Sequence, residues 1–198
     1  MQIPEWVAPT LNPAFVPPYW TRGQFLSLLV AKHDWQRGAE IGLSNGETSA
    51  YLLQHHPRLH MIGVDARRAF PGHAGPDDFT EWDHAALRVQ ADKALAPYGE
   101  RFRMIEKLSV DAAEEVADSS LDFVFIDADH SEAACRADIL AWLPKIKPGG
   151  WITGHDISWP SVRAAVDDMI PRYQIGPDVT WFRPVHPASN WWRWLHHD

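Results

Sequence analysis

The chain predicts an α/β domain built on a doubly wound, mostly parallel sheet, with helices on both faces and an antiparallel strand near its C-terminal end. Three observations carry this. Short apolar runs alternate with segments of helical periodicity, the pattern of parallel strands joined by crossover helices. Residues 121–127 (LDFVFID) are apolar almost throughout, as a central strand covered on both faces has to be. The last two strand-like stretches, about 178–183 and 190–195, have no helix between them, so they pair as a hairpin and one runs antiparallel.

The elements follow in order. Pro4, Pro9, Pro13, Pro17 and Pro18 bar a long helix from the first twenty residues, so 1–21 reads as an extended arm and 22–198 as one domain. Thr21 caps a first helix at about 22–32, with Phe25, Leu28 and Leu29 on one face. Gly38-Ala39-Glu40-Ile41-Gly42 is a short buried strand. Ser44 and Glu47 fit a capping box that opens the next helix. HMIGVDA is a second strand ending at Asp65. Residues 66–80 hold glycine and proline without periodicity and read as a long loop, of the kind that covers a site; Gly72 and Gly75 flank His73 there. A helix at about 81–96 leads to a strand at 102–105, and SVDAAEEV makes a short helix. After the strand at 121–127, apolar residues at 135, 139, 142 and 143 mark a helix, in which Cys135 reads as a small core residue. KPGG turns the chain into a strand at 151–153, and a last helix spans about 162–170.

Bulk properties narrow the function. The chain has 198 residues, with 45% hydrophobic side chains, enough for one sizeable core. The formal charge is −8 and no basic run exceeds two residues, which argues against nucleic acid or an anionic membrane as partner. No apolar run approaches the length of a membrane span. The N-terminal stretch lacks the basic and apolar regions of a signal peptide, and the single cysteine suits a reducing compartment, so a cytoplasmic setting is expected. Self-association is left open. There are 11 tryptophans and 11 histidines. The tryptophans gather near the termini and are read as packing.

Doubly wound sheets bind ligands beyond the carboxyl ends of their strands. EIGLSNGETS, residues 40–49, falls there. Gly42 and Gly46 allow a sharp turn and close approach to a ligand, and the helix behind it offers free N–H groups. Asp65 ends the next strand, where a carboxylate can accept two ribose hydroxyls, so the pair suits an adenosine cofactor. The G-x-G-x-x-G pattern of dinucleotide folds is incomplete, and no phosphate-binding G-x-x-x-x-G-K-[ST] loop is present. Glu40 would repel a pyrophosphate but suits a cationic ligand.

These stretches, with GVDA, LDFVFIDADH, LPKIKPGGWITGHD and SNWWRWL in that order, resemble the class I S-adenosylmethionine (SAM)-dependent methyltransferases, whose fold is Rossmann-like. The resemblance spans roughly residues 22–195. It implies SAM as cofactor, with Glu40, Gly42, Ser44, Gly46, Thr48, Asp65, Ser109 and Asp127 around it. The family often carries an acid just before the serine that contacts adenine; here Leu108 precedes Ser109.

IDADH and GHD lie at two neighbouring strand mouths. They resemble the catechol and caffeoyl-CoA O-methyltransferase group, which implies a small hydroxylated acceptor. In that group an acid and a following D-[ND] pair hold a divalent metal, positions taken here by Asp127, His155 and Asp156. His130 stands where that group has a basic lysine. A histidine ligand favours transition metals over Mg²⁺. The alternative is a metal-free site with His130 or His155 as base beside Asp127 or Asp156, since an imidazole accepts a proton near neutral pH. Capping offers plainer roles, Asp129 for the helix at 131 and Asp156 near Ser158. A nucleotide-dependent oxidoreductase, which the missing third glycine disfavours, and a non-catalytic SAM-binding domain are the other readings.

Overall fold

The structure, a computed structural model, describes residues 20–68 and 83–185. Nearly all of the arm, most of the 66–80 loop and the strand expected at 190–195 therefore lie outside the described residues.

Within the described residues are six α-helices and seven strands, all but β6 in the expected order: α1 (Arg22–His33), β1 (Arg37–Ile41), α2 (Glu47–His55), β2 (His60–Val64), α3 (His84–Leu95), β3 (Phe102–Ile105), α4 (Ser109–Ala113), β4 (Leu121–Ile126), α5 (Glu132–Trp142), β5 (Ile146–Gly154), α6 (Pro160–Met169), β6 (Gln174–Ile175) and β7 (Trp181–Pro184). They form one sheet ordered β3-β2-β1-β4-β5-β7-β6. Pairing is parallel from β3 to β5, while β7 runs antiparallel to both β5 and β6. β1 pairs with β2 on one side and β4 on the other. The order of the strands reverses there, and a crevice opens at their carboxyl ends.

The period of two along β4 sorts its side chains into two cores. Val124 and Ile126 face a cluster with Ile139 and Trp142 of α5 and Val162 and Val166 of α6. Phe123 and Phe125 face the opposite cluster, with Leu26 and Leu29 of α1 and Leu52 and Leu53 of α2. Burying one such side chain stabilises the fold by about 1.5–3 kcal/mol. Each helix packs one apolar stripe inward, which places helices on both faces of the sheet. Cys135 is buried in the first cluster, and burial pushes its thiol up to about 12, consistent with a packing role. Among the described residues no helix is long and apolar enough to cross a membrane.

Local signals held unevenly. Thr21 and Gln24 form the reciprocal capping box of α1, with Gln24 N–H donating to Thr21 Oγ1 at 3.3 Å and Thr21 N–H to Gln24 Oε1 at 3.0 Å. The box expected at Ser44 and Glu47 does not form. Gly46 is the N-cap of α2, with no side-chain cap, because Ser44 adopts a left-handed φ of 48° and its N–H is held by Asp65 instead. Ser131, rather than Asp129, caps α5; Asp129 accepts from the Ser131 N–H at 2.7 Å and so holds the capping residue. Asp156 caps nothing with its side chain: Trp159 is the N-cap of α6 and lacks a side-chain cap. Gly149 and Gly150 lie inside β5, beside the register shift between Leu121 and Phe123, where a turn was expected.

Candidate active site

A cavity of about 270 Å³ occupies the crevice at the carboxyl ends of β1, β2 and β4, and its wall includes Gly42, Ser44, Asp65, Ser109, Asp127 and Asp138. The turn after β1 forms its floor. Gly42 has φ 89° and donates its N–H to Val64 O at 2.8 Å. A Cβ at this position would stand 2.0 Å from the Asp127 carbonyl oxygen. Gly42 thus lets β1 and β4 close on one another, a packing requirement in addition to any approach of ligand. Gly46 is similarly confined, by Leu95 and Ala91 of α3.

Asp65 organises this turn. Its Oδ2 accepts from Leu43 N–H at 3.1 Å and Ser44 N–H at 2.9 Å, and its Oδ1 accepts from Arg67 N–H at 2.6 Å. A carboxylate offers about four acceptor sites, so Asp65 can hold the turn and still take a hydroxyl. Ser109 also lines the cavity, and its Oγ accepts from Trp142 Nε1–H at 2.9 Å.

Two expected cofactor residues face elsewhere. Glu40 is 3% exposed, and its Oε2 accepts both the N–H and the hydroxyl of Ser49 in the first turn of α2. Burial pushes its carboxyl up to about 8, Asp127 adds to this, and the Ser49 hydrogen bond partly opposes it. Thr48 is buried and accepts from Arg22 Nε–H at 3.3 Å.

At the cavity wall, and beyond it, stand two carboxylates and two imidazoles, Asp127 belonging to the wall itself. Asp127 follows β4, tied by its N–H to Ile41 O at 2.7 Å. Asp156 follows β5 with a left-handed φ of 57°. Asp156 Oδ2 lies 3.0 Å from His130 Nε2 and 3.0 Å from His155 Nδ1. Asp127 Oδ1 lies 3.8 Å from His130 Nε2 and 3.6 Å from His155 Nδ1. Burial works against ionising either carboxylate, yet the histidine contacts hold Asp127 low and Asp156 well below the usual carboxylate range. His155 shows the counterpart: burial opposes its charge, but Asp127 and Asp156 together raise it to about 9. The two carboxylates thus favour the charged form of His155.

Two residues outside the sequence-based expectations complete this region. Arg22 Nε is 3.4 Å from Asp127 Oδ2, and the Arg22 backbone N–H donates to Asp178 Oδ2 at 2.8 Å. Asp178 Oδ2 in turn lies 3.7 Å from His155 Nε2. Asp178 and Val179 both have positive φ, 53° and 46°, an uncommon conformation for a β-branched residue. No motif marks either Arg22 or Asp178. They join the site because α1 and the segment before β7 converge on the mouths of β4 and β5.

Three side chains bring donor atoms within 4.8 Å of one another: Asp127, His130 and Asp156. This mixed oxygen and nitrogen set fits a divalent transition ion in its chemistry. His155, of the expected set, has its Nδ1 3.0 Å from Asp156 and 3.6 Å from Asp127, as near the same two carboxylates as His130.

Residues 39–157 match the family described as "Methyltransferase domain". The chain belongs to this methyltransferase family. The matched span runs from β1 past Asp156 and so contains the glycine turn, Asp65, Ser109 and the whole Asp/His cluster, while Arg22 and Asp178 lie outside it. No curated protein sequence matches the methyltransferase chain. Solved structures share its fold at low identity. An O-methyltransferase from Bacillus cereus in complex with SAH is 21% identical, with a TM-score of 0.61 over 90% of this chain and 86% of that one. A putative caffeoyl-CoA O-methyltransferase from Staphylococcus aureus is 18% identical, with a TM-score of 0.60 over 92% and 91%. The O-methyltransferase TomG from Streptomyces achromogenes, in complex with SAM, is 16% identical, with a TM-score of 0.59 over 83% and 79%.

Proposed function

We propose that this methyltransferase transfers a methyl group from SAM to the hydroxyl of a small molecule. One observation carries the reading: Asp127 belongs both to the wall of the cofactor cavity and to the Asp/His cluster, so cofactor and acid–base groups share a boundary. The SAM and SAH complexes of similarly folded O-methyltransferases support the cofactor. A cytoplasmic setting goes with this proposal.

SAM supplies an electrophilic methyl group on a sulfonium, open to in-line attack. The chain then has to bind the cofactor, align the acceptor and remove its proton. Asp65 and the Gly42–Ser44 turn line the cavity where the ribose and methionine parts would lie. His130, which stands where the resembled group has a basic lysine, is the imidazole assigned to accept the acceptor proton, with Asp156 3.0 Å from its Nε2 to stabilise the resulting charge. Arg22 and His155 balance Asp127 and Asp156.

A second reading rests on the donor geometry. Asp127, His130 and Asp156 are the residues that would hold a divalent ion, which would lower the acceptor's pKa and fix its position. The two readings compete for His130, since an imidazole nitrogen bound to metal takes no proton.

The test is methyl transfer itself. Purified protein incubated with SAM and a panel of phenols, catechols and aliphatic alcohols should release S-adenosylhomocysteine with at least one of them. Failure of calorimetry to detect SAM or S-adenosylhomocysteine binding would overturn the assignment.

A further inference from the structure

The two oxygens of Asp127 face different partners. Oδ1 faces the imidazoles, 3.8 Å from His130 Nε2 and 3.6 Å from His155 Nδ1. Oδ2 faces the guanidinium of Arg22, 3.4 Å from its Nε. The Asp127 side chain is 13% exposed and that of Arg22 35%, so the pair is partly withdrawn from water, where a neighbouring charge is felt more strongly than in solvent.

The guanidinium is held in this place. Arg22 is the first residue of α1, behind the Thr21–Gln24 capping box. Its backbone N–H donates to Asp178 Oδ2 at 2.8 Å. Its Nε–H donates to Thr48 Oγ1 at 3.3 Å, and Thr48 is itself buried in the first turn of α2. Arg22 lies outside residues 39–157, so the segment matched to the family does not itself supply this charge.

The cations around Asp127 differ in what they do when a metal ion arrives. An imidazole gives up its proton and ligates, turning from competitor into donor. A guanidinium has five N–H donors and no acceptor, and it keeps its charge. Arg22 therefore repels an arriving cation and can neither ligate it nor shed its own charge. An ion held by Asp127, His130 and Asp156 would share the Asp127 carboxylate with it.

We infer that Arg22 is the resident counter-ion of Asp127 and holds the affinity of the Asp/His cluster for divalent metal low. The inference rests on the donor set Asp127, His130 and Asp156 described above, and not on the cofactor. It bears on the competition for His130: with the guanidinium in place His130 stays an acid–base group, and without it His130 becomes a metal ligand.

The experiment titrates Co²⁺ into the metal-free full chain by calorimetry, at one pH and one ionic strength, for wild type, Arg22→Gln and Arg22→Lys. Arg22→Gln should bind Co²⁺ at least about tenfold more tightly than wild type, because a like charge beside the site is gone. Arg22→Lys keeps the charge and should stay within about threefold of wild type. Arg22→Met, which keeps the apolar stem, is the second neutral variant should the glutamine unfold α1. Histidines elsewhere in the chain also take Co²⁺, so the gain has to disappear in Arg22→Gln/Asp127→Asn; a gain that survives there places the ion elsewhere and overturns the inference. Equal affinities in wild type and a folded neutral variant, no binding to any of them, or the same change with lysine as with glutamine would make Arg22 a structural support for Asp127 and overturn it as well. S-adenosylhomocysteine added to the same samples tests the cofactor separately: its failure to bind would remove the methyl-transfer reading and leave the metal result standing.

Discussion

Glu40 Oε2 receives two hydrogen bonds from Ser49, one from its backbone N–H at 3.0 Å and one from its hydroxyl. The acid of the E-x-G turn is thereby directed into the protein, where it fixes the first turn of α2 against the end of β1.

That placement predicts a pH dependence. The folded-state value of Glu40, about 8, stands above the ordinary 4.5, so the folded protein retains a proton that the unfolded chain gives up. Stability falls as pH rises across this window, and the loss is complete above the folded value. A tenfold difference in proton affinity between the two states is worth about 1.4 kcal/mol, so the effect reaches a few kcal/mol. Cofactor-free Glu40→Gln should lack this component. Urea unfolding at pH 5 and pH 8.5 checks it; equal pH slopes for wild type and variant would refute the assignment.

Asp65 should serve both fold and ligand. Asp65→Ala removes the acceptor for three backbone N–H groups. A loss of about 1–3 kcal/mol in stability is expected from unsatisfied donors, partly relieved by water. SAM affinity should fall as well, by a few kcal/mol at most. Thermal unfolding and calorimetry read the two effects separately, and unchanged affinity would take Asp65 out of the cofactor site.

Gly42 and Gly149 separate steric from conformational cost. Both have positive φ, 89° and 84°. A Cβ on Gly42 meets the Asp127 carbonyl at 2.0 Å, whereas one on Gly149 meets nothing within 4 Å. Gly149→Ala should cost about 1–2 kcal/mol, the backbone strain alone. Gly42→Ala adds a backbone clash and should cost at least about 2 kcal/mol more, or prevent folding. Comparable unfolding midpoints for the two variants would contradict this.

For the Asp/His cluster, activity should persist in EDTA. His130→Ala should lower kcat by about 10²–10⁴-fold with SAM affinity retained, the usual effect of losing one general base. Activity that vanishes with EDTA and returns with Mn²⁺ or Co²⁺ would instead make His130, Asp127 and Asp156 the ligands of an ion.

Periodicity made the sequence informative about the fold. The apolar run of β4 and the alternation of strands with amphipathic segments pointed to a two-faced sheet, which buries Phe123/Phe125 on one side and Val124/Ile126 on the other. β6 escaped notice because two exposed residues carry no such pattern. The positions of Asp65, Asp127, His130 and Asp156 were legible for a related reason, since each follows or closely trails a strand and strand ends in such a sheet converge.

What the sequence by itself determined, then, was the set of elements and the strand mouths that bear ionisable groups. The tertiary structure decided where the side chains point and which distant partners they meet. It turned Glu40 toward Ser49, set His130 and His155 against the same pair of carboxylates, and brought Arg22, Asp138 and Asp178 to the site from segments without a motif. The physical reason is that burial and charge pairing act through space. A residue's periodic position fixes which face of an element it occupies, while its protonation and hydrogen bonds depend on neighbours that only the packing of the whole sheet and its helices supplies.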